Sequence, residues 1–72
     1  MDYTPFKIIK SFGVIGENPK GWTKEFNLVS WYNNGPKSDI REWSPDHTRT
    51  GKGVTLTRRE LGRLLLLLND FE

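Results

Sequence analysis

Residues 37–57 read KSDIREWSPDHTRTGKGVTLT, and this stretch carries most of the information about fold and function. Its first seven residues favour a β-strand, whose side chains alternate between the two faces of a sheet. One face should therefore hold Lys37, Asp39, Arg41 and Trp43. This pattern places a guanidinium and an indole side by side on a predicted sheet.

The second half of the same stretch predicts a turn, a polar loop and another strand. Ser44-Pro45-Asp46 has turn chemistry and should end the first strand. Gly51-Lys52-Gly53 then leads into a short β-prone run, Val54-Thr55-Leu56. Because the two glycines carry no side chain, the backbone around Lys52 stays open to an approaching ligand.

The length of the chain, 72 residues, predicts one small domain over residues 1–72. A domain of this size buries only about 60% of the surface of its unfolded chain, and self-association would add to so marginal a core. The sequence has no cysteine, which excludes a disulfide framework and a thiolate metal site. Its one histidine, His47, has no second histidine or cysteine beside it, so we expect a solvated loop residue and neither a metal nor another cofactor.

The chain is mildly basic, with a formal net charge of +2. The arrangement of charge is more informative, because cations crowd the second half of the chain at Lys37, Arg41, Arg49, Lys52, Arg58 and Arg59. The N-terminus lacks a signal-peptide pattern, and the apolar run Leu64–Leu68 is too short to cross a bilayer. We expect a soluble intracellular protein without a membrane partner, in the cytoplasm or, if bacterial, associated with the nucleoid.

Two further strands are predicted upstream. Residues 6–15 alternate imperfectly and should form a curved strand with a bend or bulge at Gly13, followed by an exposed loop over residues 16–21. Residues 22–32 are rich in aromatic and β-branched side chains and predict the second strand.

The connection after the second strand leaves two registers open. If Asn34-Gly35 form a type I′ turn, Tyr32 pairs with Lys37, and Tyr32, Ser30 and Leu28 lie on the face of Lys37, Asp39 and Arg41. A shift of the loop by one residue puts Trp31 and Val29 on that face instead.

A helix should close the chain. Thr57-Arg58-Arg59-Glu60 has the pattern of a capping box, which marks a helix start. Leu61, Leu64, Leu65 and Leu68 then share one stripe that should cover the sheet, whereas Leu66 and Leu67 fall largely off it. A monomer would leave these two leucines in water, so we expect a second copy of the chain as partner, with Leu61 and Leu64–Leu68 at the dimer interface.

Aromatic side chains alternate along the chain with cations, which is the pattern that binding of single-stranded nucleic acid requires. The aromatic candidates are Trp22, Trp31, Tyr32 and Trp43, and the cationic candidates are Lys20, Lys24, Lys37, Arg41 and Lys52. Small β domains also bury tryptophans, so each ring is a candidate for the core as well as for a base platform. A domain this small has too little interior for all four rings to be buried.

The order of these motifs resembles the positive-cofactor-four family of single-stranded DNA-binding transcriptional coactivators, in particular its small bacterial YdbC-type members. The resemblance rests on Asp-Ile-Arg-Glu-Trp at residues 39–43, Gly-Lys-Gly-Val-Thr-Leu-Thr at residues 51–57 and the run from Trp22 to Trp31. It covers about two thirds of the chain and matches the first strand weakly. The serine-rich and lysine-rich N-terminal region of the eukaryotic members has no counterpart here.

This resemblance implies an α+β fold, in which a four-stranded antiparallel curved sheet is followed by one C-terminal helix (ββββα), and a two-fold homodimer. It also implies that Arg41 and Lys52 contact the DNA backbone, and it matches Trp43 to the family's aromatic after Ile-Arg-Glu. From the residues alone, Arg41 between Asp39 and Glu42 is equally consistent with a surface ion-pair cluster.

Enzymatic activity finds little support, and we expect neither catalytic residues nor a small-molecule substrate. No glycine-rich phosphate motif precedes a helix, and Asp46 with His47 lacks a third catalytic partner. Two alternatives to a single-stranded DNA-binding protein remain open. One is an RNA-binding protein, because stacking and phosphate contacts do not test for a 2′-hydroxyl. The other is a protein-interaction module.

Overall fold

The computed structural model describes residues 6–71 and contains four strands followed by one helix. Their bounds are β1 (Phe6–Glu17), β2 (Thr23–Trp31), β3 (Lys37–Trp43), β4 (Thr50–Leu56) and α1 (Arg58–Asn69). The strands form one antiparallel sheet in the order β1-β2-β3-β4, so each strand pairs with its neighbour in sequence. The predicted ββββα fold is confirmed. Within residues 6–71, no helix is both long and apolar enough to cross a membrane.

β1 is a strongly irregular strand. Its register against β2 shifts at three places, between Ile8 and Lys10, between Ser11 and Gly13, and between Val14 and Gly16. An extra residue in one strand of a pair bends that strand and increases its twist. The predicted bulge near Gly13 is therefore confirmed, and the strand continues to Glu17, beyond the predicted end at residue 15.

The turn between β2 and β3 lies earlier than Asn34-Gly35. Tyr32 and Asn33 have φ angles of 51° and 64°, and the Asn34 N–H donates to the Trp31 carbonyl over 2.9 Å. Two consecutive positive φ angles are typical of a type I′ turn. Of the two registers left open by the sequence, the one with a turn at Asn34-Gly35 is therefore excluded, and Val29 pairs with Lys37.

This register decides which face each side chain of the central strands occupies. Glu25 pairs with Arg41, and Asn27 pairs with Asp39, so these four share one face with Val29, Trp31 and Trp43. The second predicted register, with Trp31 and Val29 on that face, gives the observed placement. We call this face the inner face, because Val29, Asn27, Asp39 and Trp43 have no exposed surface there.

The opposite, outer face is more apolar and less buried. Phe26 and Ile40 face each other across β2 and β3 and are only half-buried. Phe12 stacks on Phe26 with ring centroids 4.7 Å apart, yet 48% of Phe12 remains exposed. Within residues 6–71, Val29 and Trp43 are the buried hydrophobic residues, and both belong to the inner face.

α1 begins at the predicted capping box. The Glu60 N–H donates to Thr57 Oγ1 over 3.1 Å, and the Thr57 N–H donates to Glu60 Oε1 over 2.8 Å. No residue of the helix is buried, and its last four leucines, Leu65–Leu68, are 56–63% exposed. The prediction that the leucine stripe covers the sheet was wrong for a single chain, because only Leu61 and Leu64 reach even half-burial.

An apolar cleft of about 570 Å³ lies between α1 and the outer face. Its lining comes from both layers and consists of Ile15, Phe26, Ile40, Arg58, Leu61, Gly62, Leu64, Leu65 and Leu68. Exposure of so apolar a cleft to water is energetically unfavourable. Filling the cleft would bury the leucine stripe of α1, which a single chain leaves exposed.

Gly53 should be essential to the pairing of β3 with β4. A Cβ atom there would lie 2.5 Å from the Ile40 carbonyl oxygen, and this backbone atom cannot move aside. Gly53→Ala should therefore lower the free energy of unfolding by about 1–3 kcal/mol. Urea denaturation at fixed protein concentration measures the loss. Gly35→Ala is the matched control, because a Cβ atom at Gly35 meets nothing within 4 Å; equal stability of the two variants would contradict the packing described here.

Candidate nucleic-acid interface

Trp22 stands at the entrance to β2 on a rigid turn. Asn18 closes this turn, because its N–H donates to the Trp22 carbonyl over 2.9 Å and its Oδ1 accepts from the Trp22 N–H over 3.0 Å. The same Oδ1 accepts from the Lys20 N–H over 2.9 Å. An asparagine side chain that bonds nearby backbone groups in this way fixes a loop locally. The backbone of Trp22 is therefore held in place, while its side chain remains only half-buried.

Two open clefts adjoin the Trp22 indole, with volumes of about 300 Å³ and 520 Å³. The smaller cleft includes Lys24, and the larger cleft includes Lys20 and Lys52. Both clefts also include Asn18 and Glu42. Three of the predicted cations thus surround one predicted aromatic side chain. We call this cluster of Trp22, Lys20, Lys24 and Lys52 the Trp22 site.

Arg49 joins this cluster, although sequence reasoning did not assign it to the interface. Its guanidinium carbon lies 5.8 Å from the centroid of the Trp22 ring, within the range of a cation–π contact. Arg49 belongs to the β3–β4 loop, where side chains do not alternate as they do on a strand. The signal that could have indicated it is its charge, three residues before Lys52 in a polar loop.

Arg41 lies in a network of hydrogen bonds on the inner face. Its Nε donates to both carboxylate oxygens of Asp39, over 3.0 Å and 3.2 Å, and its two terminal nitrogens reach Asp39, Thr55 and the Gly51 carbonyl over 3.1–3.4 Å. Its guanidinium carbon also lies 4.9 Å from the Trp31 ring centroid. Only 18% of the Arg41 side chain is exposed. The ion pair that the sequence left open is present, and contact with a DNA backbone would require this network to open.

Trp43 belongs to the interior, and Trp31 lies at its edge. Trp43 has no exposed surface and packs edge-on against Phe6, with centroids 5.0 Å apart, so its prediction as a base platform conflicts with this structure. Trp31 is half-buried, with Arg41 over its ring and Phe6 at 5.8 Å. Both indole N–H groups are buried without a hydrogen-bond partner in the described part of the chain. Trp43 therefore serves the core, and the Trp31 ring is covered by Arg41.

Tyr32 and Lys37 lie far from the Trp22 site. Both are exposed at the turn between β2 and β3, whereas Trp22 stands at the opposite end of β2. At about 3.3 Å per residue, the two ends are roughly 30 Å apart. The structure therefore divides the predicted interface into the Trp22 site, the pair Trp31 and Trp43 with Arg41, and this distant turn.

His47 lies in a loop with 44% of its side chain exposed, as the sequence predicted, but it also contacts the sheet. Its ring stacks on Trp43 with centroids 5.6 Å apart, and its Nε2 lies 2.8 Å from Glu25 Oε2. Glu25 is only 6% exposed and also accepts hydrogen bonds from Thr23 Oγ1, over 2.5 Å, and Asn27 Nδ2, over 3.1 Å. Burial by itself raises the pKa of Glu25, but these three partners together lower it below its ordinary value.

Hydrogen bonds of Ser44 and Asp46 stabilise the β3–β4 loop, which also contains His47. The Ser44 N–H donates to the Arg49 carbonyl, and the Arg49 N–H donates to Ser44 Oγ, each over 3.0 Å. Asp46 accepts from the hydroxyl and the N–H of Thr48 and from the hydroxyl of Ser44, which lowers the pKa of Asp46 to about 2. These bonds fix the backbone of Arg49 next to the Trp22 site.

Comparison with known proteins matches a family model to most of the chain. The family model for Transcriptional Coactivator p15 (PC4) matches residues 18–66, which include all of the Trp22 site and Arg49 but not β1. A relative from Treponema pallidum (strain Nichols), described as an uncharacterized protein, is 42% identical over 65 residues. The aligned segment covers 90% of this chain and 76% of the relative.

The lowered pKa of Glu25 predicts acid sensitivity. The folded state binds this proton less readily than the unfolded chain, so the ionised carboxylate stabilises the fold above its ordinary pKa of 4.5 and loses this contribution as pH falls through its lower folded-state pKa. Glu25→Gln should lower the free energy of unfolding at pH 7 by about 1–3 kcal/mol and reduce its dependence on pH below 4.5. Urea denaturation at several pH values tests this, and an unchanged acid profile would contradict it.

Proposed function

The chain belongs to the Transcriptional Coactivator p15 (PC4) family, and we propose that it binds single-stranded DNA as a homodimer, with little sequence preference. The observation that supports this proposal best is the Trp22 site, in which an indole on a hydrogen-bonded turn adjoins two open clefts with three lysines. Such binding suits transcription, replication or repair, in which strands are transiently separated.

The affinity has two sources in this proposal. A base stacked on an aromatic ring contributes about 1–3 kcal/mol, and the half-buried Trp22 ring offers such a platform. Lys20, Lys24 and Lys52 supply the charge that neutralises phosphates. In a plot of log affinity against log salt concentration, each phosphate neutralised on a single strand contributes about −0.7 to the slope. Three lysines therefore correspond to a slope of about −2 per subunit.

Preference for single strands follows from the stacking. In a duplex, neighbouring bases cover both faces of each base, and a ring such as Trp22 has no face to stack on. Stacking is also tolerant of sequence, because every base has a planar face. RNA is a second possible ligand, since the chemistry of the Trp22 site does not depend on a 2′-hydroxyl.

The homodimer is proposed from the apolar surface that one chain leaves uncovered. Leu65 and Leu68 line the cleft beneath α1, and Leu66 and Leu67 are exposed beside them in sequence. Phe26 also lines the cleft, and the exposed Phe12 stacks on it. A second copy brings an identical leucine helix and the same cleft, as a two-fold interface requires. The dimer would carry two Trp22 sites, and one strand that reached both would bind more tightly than to either alone.

Trp22→Ala should weaken binding of oligo-dT by about 5-fold to 150-fold, which corresponds to the loss of one stacked base. The loss should persist at high salt, because stacking is not screened as phosphate contacts are. Fluorescence anisotropy of a labelled oligo-dT measures the affinity. The comparison variant is Tyr32→Ala, at the other end of β2, which should bind nearly as well as the wild type.

The reverse result, with Tyr32→Ala impaired and Trp22→Ala unaffected, would place the interface at the β2–β3 turn. Equal affinity of the wild type for oligo-dT and for its duplex form would contradict the proposed function. Oligo-rU in the same titration determines whether RNA is accepted.

Leu65→Glu should convert a dimer into a monomer, because it places a charge in the apolar cleft that the second copy would fill. Sedimentation equilibrium of the wild type and the variant measures their masses. The control is Arg59→Glu, a charge change at an exposed position of α1 outside the cleft lining. A wild-type mass of one chain would instead favour a different protein as the partner of this cleft.

A further inference from the structure

The chain contains two arginine-on-tryptophan pairs, and they differ in how firmly each arginine is held. Arg41 lies over Trp31 at 4.9 Å, and Arg49 lies over Trp22 at 5.8 Å. The Arg41 guanidinium is bound to Asp39, Thr55 and the Gly51 carbonyl. The Arg49 guanidinium has no hydrogen bond or ion pair within residues 6–71. The Arg41 guanidinium is thus held by hydrogen bonds, whereas the exposed Arg49 guanidinium is not.

The Arg49–Trp22 pair lies where a ligand has room to enter. Trp22 borders the two clefts that contain Lys20, Lys24 and Lys52, whereas Trp31 borders none of the clefts described above. A planar group between a guanidinium and an indole needs about 3.5 Å on each side, or about 7 Å in total. The present distance of 5.8 Å must therefore increase by about 1 Å.

Such a movement involves the side chain of Arg49 and not its backbone. Two hydrogen bonds to Ser44 hold the Arg49 backbone, and the contacts of His47 with Trp43 and Glu25 hold the rest of the loop against the sheet. The guanidinium can thus swing outward on an exposed side chain while its point of attachment stays fixed.

We propose that Arg49 closes over an unpaired base stacked on Trp22, so that the base is sandwiched between the guanidinium and the indole. This inference rests on the proposed function and adds a binding residue to it, together with the chemical class of the group bound, a single nucleobase with both faces free. In the unbound protein, Arg49 itself covers the ring and is displaced outward as the base enters. The planar guanidinium stacks on the base, which an ammonium group does not do equally well.

The test compares Arg49→Ala and Arg49→Lys with Arg59→Ala, which removes the same charge from an exposed position in α1. Each protein is titrated at low and high salt with two probes of equal length, oligo-dT and an abasic strand that carries the phosphates without bases. Circular dichroism verifies that the variants fold.

The sandwich predicts that Arg49→Ala and Arg49→Lys both lose about 5-fold or more in oligo-dT affinity at high salt, whereas Arg59→Ala does not. The affinity for the abasic strand should fall no more in Arg49→Ala than in Arg59→Ala. Full rescue of oligo-dT binding by Arg49→Lys would overturn the sandwich and leave Arg49 as a phosphate contact. Equal behaviour of Arg49→Ala and Arg59→Ala would overturn any role for Arg49 at the site. Absence of oligo-dT binding by the wild type would refute the proposed function itself.

Discussion

The pairing of Val29 with Lys37 is the constraint on which the rest of the structure depends. It aligns β2 with β3 across the turn at Tyr32-Asn33 and determines which side chains of the two central strands share a face. The inner face receives Glu25, Asn27, Asp39 and Trp43, and the outer face receives Phe26 and Ile40. A shift by one residue would place Phe26 on the face of Asp39 and Arg41. The subunit therefore has a polar interior and a largely apolar exterior on one side, which is unusual for a small domain and explains the uncovered cleft under α1.

A polar interior is stable only if its groups are paired, because a buried charge without a partner is very unfavourable. Asp39 is compensated by Arg41 and Thr55, and Glu25 by Thr23, Asn27 and His47. These networks also have a positional effect. Arg41 packs over the Trp31 ring on the inner face, and His47 in the β3–β4 loop stacks on Trp43. The loop in turn places Arg49 over Trp22. Two of the predicted site residues, Arg41 and Trp43, thus support the candidate interface from within.

The sequence predicted the order and type of all five elements, because alternation, turn composition and the Thr57–Glu60 capping box are local signals. It also predicted correctly that the four aromatic candidates could not all be buried. It left two registers open at the turn, because Asn-Gly is the stronger hairpin signal and nothing local reveals that Tyr32 and Asn33 adopt positive φ angles. It missed the contacts of His47 and Arg49 because both lie in a loop, and their partners Glu25 and Trp22 are more than twenty residues away. Loop side chains follow no period, so only the folded chain brings such pairs together.

The three tryptophans differ in their surroundings: Trp22 is a half-buried ring among cations, Trp43 is buried in the core, and Trp31 lies at the edge of the core under Arg41. Each tryptophan has one indole N–H resonance, so a nitrogen-15 spectrum of the protein reports on all three at once. Titration with oligo-dT should shift the Trp22 indole signal first and most strongly, while the Trp31 and Trp43 signals move little. Large shifts at Trp31 or Trp43 with an unchanged Trp22 signal would contradict the account and place the bound strand on the inner face.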